Sequence, residues 1–185
     1  ADNALGQDVP CLHNSHVLGM STVLSGPVAH LGINMRNGVL AALKEINAQG
    51  GIQGNSLCLI VLNDDYDPER TVLNMHRLIE QENVLAVIGN VGTPTAIAAV
   101  PIANRSHVPF FGALTGAGIL RRIPPDHYVI NYRASYAEET AAMVQALITY
   151  GNLQPNEIAF FTQRDAYGDS GFVGGLAALK KNGLK

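Results

Sequence analysis

The chain has 185 residues, 47% of them hydrophobic and 15% charged, and this length can bury one sizeable core. Its formal net charge of −3 argues against nucleic acid as a partner, because proteins that bind nucleic acid usually carry a basic surface. No apolar run reaches the roughly 18 residues of a membrane-spanning helix. Residues 1–4 lack the basic and apolar regions of a signal peptide, so we expect any such peptide to have been removed.

Short apolar runs alternate with segments of helical periodicity along the chain. The apolar runs predict strands at residues 16–23, 57–62, 84–88, 108–111, 128–132 and 158–162. The periodic segments predict helices at residues 32–48, 67–82, 93–104, 135–150 and 168–182. Because the strands lack polar alternation and helices follow them, the sequence predicts an α/β fold with three α/β/α layers around a parallel sheet.

Three of these helices begin with a capping sequence. Asp67-Pro68 and Thr93-Pro94 each place a capping side chain directly before a proline, which is favoured in the first helical turn. Ser135 followed by Glu138 is the pattern of a capping box. We therefore expect the side chains of Asp67, Thr93 and Ser135 to cap their helices.

A ligand site is expected beyond the carboxyl ends of the strands, where open parallel sheets bind their ligands. Two loops there, Gly92-Thr93 and residues 112–116, are rich in glycine, carry hydroxyl groups and are each predicted to lead into a helix. Helix N-termini attract anions, and glycine allows the backbone to approach a ligand closely, so the loops predict a site for a small carboxylate. The alternative is that Thr93 and Thr115 only cap helices.

Catalytic, metal and cofactor sites are not predicted. Asp64-Asp65 is interpreted as a solvated acidic turn, because Asn90 and Thr115 stand where a phosphoacceptor site would need a further carboxylate and a lysine. The loop after the first strand lacks the glycine pattern of a dinucleotide site, and the six histidines show no metal-ligand spacing. We therefore expect a binding protein and not an enzyme.

Several motifs together carry a family likeness. They are Ser25-Gly26-Pro27-Val28-Ala29, the acidic turn Asn63-Asp64-Asp65-Tyr66-Asp67-Pro68, the run Phe111-Gly112-Ala113-Leu114-Thr115-Gly116-Ala117, residues 46–54 and Asp165-Ala166-Tyr167-Gly168. From about His16 onward the chain resembles the type I periplasmic solute-binding proteins. It is most similar to their leucine/isoleucine/valine-binding and amide-sensing branch.

The resemblance implies a two-lobed organisation. Residues 1–132 would form the first lobe, without the segment that returns to it late in family members, and residues 133–185 would begin the second lobe. A small part of a lobe buries little apolar surface. We therefore expect that the native chain continues beyond Lys185 or that another chain covers the surface left open.

The resemblance also implies roles for individual residues. The hydroxyl of Thr93, the backbone of Ala113 and the hydroxyl and N–H of Thr115 would bind the polar head of the ligand, and Tyr167 of the second lobe would close over it. Leu31 stands where amino-acid binders often have tyrosine, so the pocket is expected to be less aromatic there. The full set of expected ligand-binding residues is Ser25, Leu31, Gly92, Thr93, Ala113, Thr115 and Tyr167.

The two cysteines, Cys11 and Cys58, allow by spacing alone either one disulfide or two buried thiols. In the 2-1-3-4-5 sheet order of the family, Cys58 begins the second strand and Cys11 lies just before its neighbour. The resemblance therefore favours a Cys11–Cys58 disulfide in a periplasmic or extracellular protein.

The function implied by the resemblance is the substrate-binding component of an ABC-type uptake system. Its partners would be a small carboxylate-bearing solute, such as an amino acid or an amide, and the membrane permease of the transporter. The alternative in another class is the extracellular sensor domain of a receptor, or an amide- or amino-acid-responsive regulator.

Overall fold

The computed structural model describes residues 11–184, so residues 1–10 of the expected first lobe and Lys185 lie outside the described part. A parallel sheet of five strands has the order β2-β1-β3-β4-β5. The strands are β1 (His16–Thr22), β2 (Leu57–Asn63), β3 (Ala86–Ile88), β4 (Phe110–Phe111) and β5 (Val129–Ile130). The α-helices are α1 (Ala29–Ala48), α2 (Pro68–His76), α3 (Thr93–Arg105), α4 (Tyr136–Thr149) and α5 (Ala166–Lys181). The predicted α/β fold is confirmed.

Helices cover both faces of this sheet. Successive side chains of a strand point to opposite sides, so residues of β1 can show which helices lie on each face. In β1, Met20 packs with Leu40 and Leu43 of α1 in one apolar cluster. Val17, three residues away on the same strand, packs with Met75 of α2 and other residues of α2 and α3 in a second cluster. These two clusters are the core of the described sheet and complete the three layers.

Two of the three capping predictions are confirmed. The carboxylate of Asp67 accepts a hydrogen bond from the backbone N–H of Glu69 at 2.9 Å, at the start of α2. Ser135 and Glu138 form both halves of the capping box of α4.

The third capping prediction, for Thr93, is wrong. Gly92 is the capping residue of α3, Thr93 is the first helical residue, and no side chain caps this end. Gly92 has a φ of 114°, a backbone conformation that glycine tolerates and threonine does not. The hydroxyl of Thr93 is therefore directed elsewhere.

The predicted sixth strand, residues 158–162, is also not formed. A strand is defined by hydrogen bonds to a neighbouring strand, and within residues 11–184 the backbone of this segment makes none. Ile158 and Phe160 instead pack against a third apolar cluster, which is centred on Val144 of α4 and Leu179 of α5. Phe161, which follows Phe160, is fully exposed.

A disulfide joins Cys11 to Cys58 with a Cα–Cα distance of 5.2 Å, as expected. Cys58 is buried in β2, in register with Val17 of β1. The bond therefore fixes the segment that leads into β1 to the neighbouring strand. Among the helices within residues 11–184, none combines the length and the apolar character needed to cross a membrane.

Candidate functional site

The loops after β3 and β4 meet at the carboxyl edge of the sheet. The backbone N–H of Leu114 donates to the carbonyl of Asn90 at 2.8 Å, and the N–H of Gly92 donates to the carbonyl of Leu114 at 3.4 Å. These bonds bring Thr93 and Thr115 together, with 2.7 Å between their hydroxyl oxygens. Both side chains are almost fully buried. The structure thus joins two of the residues expected to bind the ligand into one hydroxyl pair.

Only one of the two expected helix N-termini is present. Thr93 opens α3, whose first turn contains no acidic side chain that would offset the helix dipole. The loop 112–116 leads instead into a single 3₁₀ turn, Gly118–Leu120, with no side-chain cap. The Thr115 hydroxyl accepts a bond from the N–H of Ala117 at 3.2 Å, which shapes the loop and caps no α-helix. The paired-termini prediction is therefore corrected to one helix terminus beside two hydroxyl groups.

Ala113 lies beside this hydroxyl pair in a backbone conformation that leaves a donor available. Its carbonyl accepts from the N–H of Thr115 at 2.9 Å, and its side chain is buried. Within residues 11–184, the N–H of Ala113 has no acceptor. A carboxylate placed against the Thr93–Thr115 pair could accept from this group and from the first turn of α3.

The two aspartates after β2 differ in environment, and the prediction of a solvated acidic turn is wrong for one of them. Asp64 is fully buried and accepts hydrogen bonds from the Ser21 hydroxyl at 2.8 Å, the Thr71 hydroxyl at 3.2 Å and the Tyr66 N–H at 3.0 Å. Burial raises the pKa of this carboxyl above its ordinary value, although the hydrogen bonds lower it in part. Asp65 is exposed and forms an ion pair with Arg70.

The buried Asp64 belongs to a polar network that the sequence interpretation missed. The N–H of Ser21 donates to the side-chain oxygen of Asn90 at 3.2 Å, and the side-chain amide of Asn74 donates to the Ser21 hydroxyl at 3.1 Å. This network links the carboxyl ends of β1, β2 and β3 directly below the loops. The available signal was the polar residue at the end of each of these otherwise apolar strands.

Ser25 and Leu31, two of the expected ligand residues, lie on other elements than the hydroxyl pair. The Ser25 hydroxyl donates to Asp65 and accepts from the side-chain amide of Asn63 at 2.9 Å. Its hydrogen bonds are therefore made to the acidic turn after β2. Leu31 lies in the first turn of α1, the helix on the other face of the sheet from α2 and α3, and is 36% exposed.

Tyr167 lies in the first turn of α5 with its ring half exposed and in edge-to-face contact with Tyr136, at a centroid distance of 5.2 Å. Tyr66, which was not singled out from the sequence, lies close enough to Asp165, Tyr136 and Tyr167 for their charges to act on its phenol group. Burial raises the pKa of Tyr66, and the charge of Asp165 and the neighbouring hydroxyls of Tyr136 and Tyr167 raise it further. The ring of Tyr66 also packs on Gly92, directly before Thr93, and Tyr136 packs on Gly116, directly after Thr115.

The loop 112–116 also contacts the start of α4. The N–H of Tyr136 donates to the carbonyl of Gly116 at 2.9 Å. The guanidinium of Arg121 donates to the carbonyls of Ala117, Arg133 and Ala134 at 3.1, 2.6 and 3.2 Å. The candidate site is thus attached to the segment in which the lobe boundary was expected. In the described part of the chain, no group of three His, Cys, Asp or Glu side chains is arranged to hold a metal.

Comparison with known proteins identifies relatives for almost the whole chain. Residues 16–185 match the family model described as periplasmic binding protein. The chain is 30% identical over 172 residues to the Leu/Ile/Val-binding protein homolog 7 of Brucella abortus (strain 2308), covering 90% of this chain and 43% of that protein. It is 26% identical over 162 residues to the Leu/Ile/Val-binding protein of Escherichia coli (strain K12), covering 88% and 42%. The chain spans less than half the length of these curated relatives.

Solved structures show the same relationship. A possible leucine/isoleucine/valine-binding protein from Rhodopirellula baltica SH 1 is 56% identical, with a TM-score of 0.88 over 96% of this chain and 47% of that one. A substrate-binding periplasmic protein from Ralstonia solanacearum is 29% identical, with a TM-score of 0.83 over 91% and 46%. These matches confirm the resemblance and the fold that were expected from the sequence motifs.

Proposed function

Because the chain belongs to the periplasmic binding protein family, we propose that it binds a small carboxylate-bearing solute, such as an amino acid, for an ABC-type uptake system. In this proposal the chain works in the periplasm, delivers its solute to a membrane permease and does no chemistry on it. The names of the Leu/Ile/Val-binding relatives support a transport role.

The hydroxyl pair is the observation that carries the proposal. Thr93 and Thr115 are buried polar residues whose hydroxyls meet at the N-terminus of α3, beside the free N–H of Ala113. Hydroxyl and backbone N–H donors together match the two oxygens of a carboxylate without any arginine or lysine. Gly92, the residue before α3, lies at this end of the helix, and the space that a Cβ atom would take there is filled by the ring of Tyr66 and the hydroxyl of Thr95.

Binding is proposed to occur by closure of two lobes, with residues up to 132 in the first and residues from 133 in the second. Separate apolar clusters support this division, since two clusters pack on the faces of the sheet and a third cluster joins α4 to α5. Tyr167 would reach the ligand from the α5 side. Closure would then be a shift in population toward the form in which Tyr167 and the hydroxyl pair contact the ligand together.

Replacement of Thr115 by alanine tests this proposal. The ligand would first be identified by a thermal-shift screen of amino acids, amides and aromatic acids, and its affinity measured by calorimetry. Thr115→Ala should weaken binding by about 1–3 kcal/mol, because a buried carboxylate oxygen loses its donor.

Two control variants make this result specific. Thr115→Ser keeps the hydroxyl and should retain most of the affinity, and Thr149→Ala removes an exposed hydroxyl at the end of α4 and should change nothing. Unchanged affinity in Thr115→Ala, with the thermal midpoint of the free protein also unchanged, would remove the hydroxyl pair from the site.

A further inference from the structure

Tyr66 is held in a defined position by the buried network below it. Asp65 and Tyr66 have φ values of 52° and 65°, in the left-handed region of backbone conformation that residues other than glycine rarely adopt. The Tyr66 N–H donates to the carboxylate of Asp64 at 3.0 Å, and the Asp67 N–H donates to the Asp64 carbonyl at 2.8 Å. These bonds offset the cost of the turn and fix the direction in which the phenol ring leaves the backbone.

The ring of Tyr66 packs directly on the glycine that caps α3. A Cβ atom at Gly92 would lie 2.6 Å from Cε2 of Tyr66 and 3.1 Å from its Cζ, so only glycine leaves room for the ring. The backbone of Thr93 lies close enough to the Tyr66 hydroxyl to lower its pKa in part, against the larger effect of burial. Tyr66 therefore covers one side of the N-terminus of α3.

Tyr136 stands in the same relation to the second loop. A Cβ atom at Gly116 would lie 2.8 Å from Cδ1 of Tyr136, so this glycine also admits a phenol ring. Tyr136 in turn contacts Tyr167 edge to face. Tyr66, Tyr136 and Tyr167, here called the tyrosine wall, thus come from the loop before α2 and from the first turns of α4 and α5.

We propose that the tyrosine wall makes this site selective for carboxylates that carry a planar ring, and that Tyr66 is the specificity-determining residue. The inference rests on the proposed function and adds the ligand class to it. A carboxylate bound at the Thr93–Thr115 pair would direct its side group toward the wall, where aromatic rings stack or meet edge to face. Tyr66 is the member of the wall that packs directly on the N-terminus of α3, since its ring lies against Gly92.

Calorimetry with matched pairs of carboxylates tests the inference on the purified chain. The ring-bearing probes are L-phenylalanine and phenylacetate, and the aliphatic probes are L-leucine and 4-methylpentanoate. The wild type should bind each ring-bearing probe at least fivefold more tightly than its aliphatic counterpart. Tyr66→Ala should remove this preference by weakening the ring-bearing probes about tenfold and the aliphatic probes less than threefold.

The control variants separate loss of the ring from loss of the site. Tyr66→Phe keeps the ring and should keep the preference, whereas Tyr150→Ala removes an exposed tyrosine at the end of α4 and should change nothing. Thr115→Ala should weaken all probes alike.

Three outcomes would overturn the inference. Equal or better binding of the aliphatic probes by the wild type would reject the ligand class while leaving carboxylate capture intact. Equal losses for both kinds of probe in Tyr66→Ala would reject Tyr66 as the residue that determines specificity. If the wild type binds none of these probes and no carboxylate of the broader thermal-shift panel, the inference is rejected together with the proposed function.

Discussion

Asp64, which is closed to solvent, holds the geometry of the candidate site through its hydrogen bonds. Its two carboxylate oxygens accept from Ser21, Thr71 and the Tyr66 N–H, and Ser21 in turn is bound by Asn90 at the end of β3. A buried carboxylate is costly unless such donors surround it. The network therefore couples the position of Tyr66 to three strand ends.

Replacement of Asp64 should separate its hydrogen bonds from its charge. Asp64→Ala leaves the Ser21, Thr71 and Tyr66 donors without this acceptor, and we expect the free energy of unfolding to fall by about 1–3 kcal/mol. Asp64→Asn keeps one acceptor and can donate to the two hydroxyls, so it should cost less. Urea unfolding followed by circular dichroism measures both, and an equal loss in the two variants would contradict this role.

Comparison of the wild type with Asp64→Asn also predicts how stability depends on pH, and the sign follows from the raised pKa of Asp64. Because the folded state holds the Asp64 proton more tightly than the unfolded state, its contribution to stability is fully present below the ordinary carboxyl pKa. That contribution is lost as the pH rises through the folded-state pKa. Subtracting the Asp64→Asn profile from that of the wild type should isolate this fall, and a flat difference would contradict it.

Asp64 and Asp65 also show what the sequence could not provide at this scale. Adjacent carboxylates after a strand have the same local pattern, and only the long-range contacts with Ser21 and Thr71 decide which of them is buried. Thr93 and Thr115 could be selected because glycine-rich loops at strand ends follow a general rule. Their direct hydroxyl contact depends on the pairing of β3 with β4 and was not predictable from the loops alone.

At the scale of elements, Arg121 connects the second ligand loop to the segment that leads into α4. Its guanidinium donates to three carbonyls, those of Ala117, Arg133 and Ala134. Arg133 itself pairs with Glu139 in α4 and lies over the ring of Tyr136. Any movement of α4 relative to the sheet would therefore act on the loop that carries Thr115.

Arg121→Lys tests this connection. Lysine keeps the charge but cannot reproduce the planar arrangement of donors, so we expect a loss of about 1–3 kcal/mol in unfolding free energy. Amide exchange should also become faster at Tyr136, whose N–H bonds to Gly116. Arg122→Lys is the matched control, because Arg122 is half exposed and reaches Asp126 only at 3.8 Å. Equal effects of the two substitutions would contradict a specific role for Arg121.

Elements with a local signal were predictable, and elements that depend on a neighbour were not. The Asp67 and Ser135 caps are set within three residues of sequence, and both are present. Residues 158–162 have the composition of a buried strand, yet a strand exists only beside another one. Partly buried Phe160 is followed by exposed Phe161, and within residues 11–184 no strand pairs with this segment.

At the scale of the whole molecule, apolar burial is concentrated around the sheet. The clusters on its two faces contain the largest buried side chains, including Phe110, Met20 and Leu59. The cluster between α4 and α5 is smaller. Gly174 allows these two helices to pack closely, and Gly175 leaves room for the ring of Phe160. Global stability therefore depends mainly on the sheet and on the constraints that act on it.

The Cys11–Cys58 disulfide is the covalent constraint on that sheet. It closes a loop with a sequence separation of 47 residues, for which the restriction of the unfolded chain corresponds to about 4 kcal/mol. Reduction should therefore lower the free energy of unfolding by about 2–4 kcal/mol, measured by urea titration with and without reductant. Cys11→Ala combined with Cys58→Ala should unfold like the reduced wild type and should not respond to reductant. An unchanged urea midpoint on reduction would show that β1 and β2 hold together without the bond, because their parallel pairing from His16 to Thr22 would then suffice.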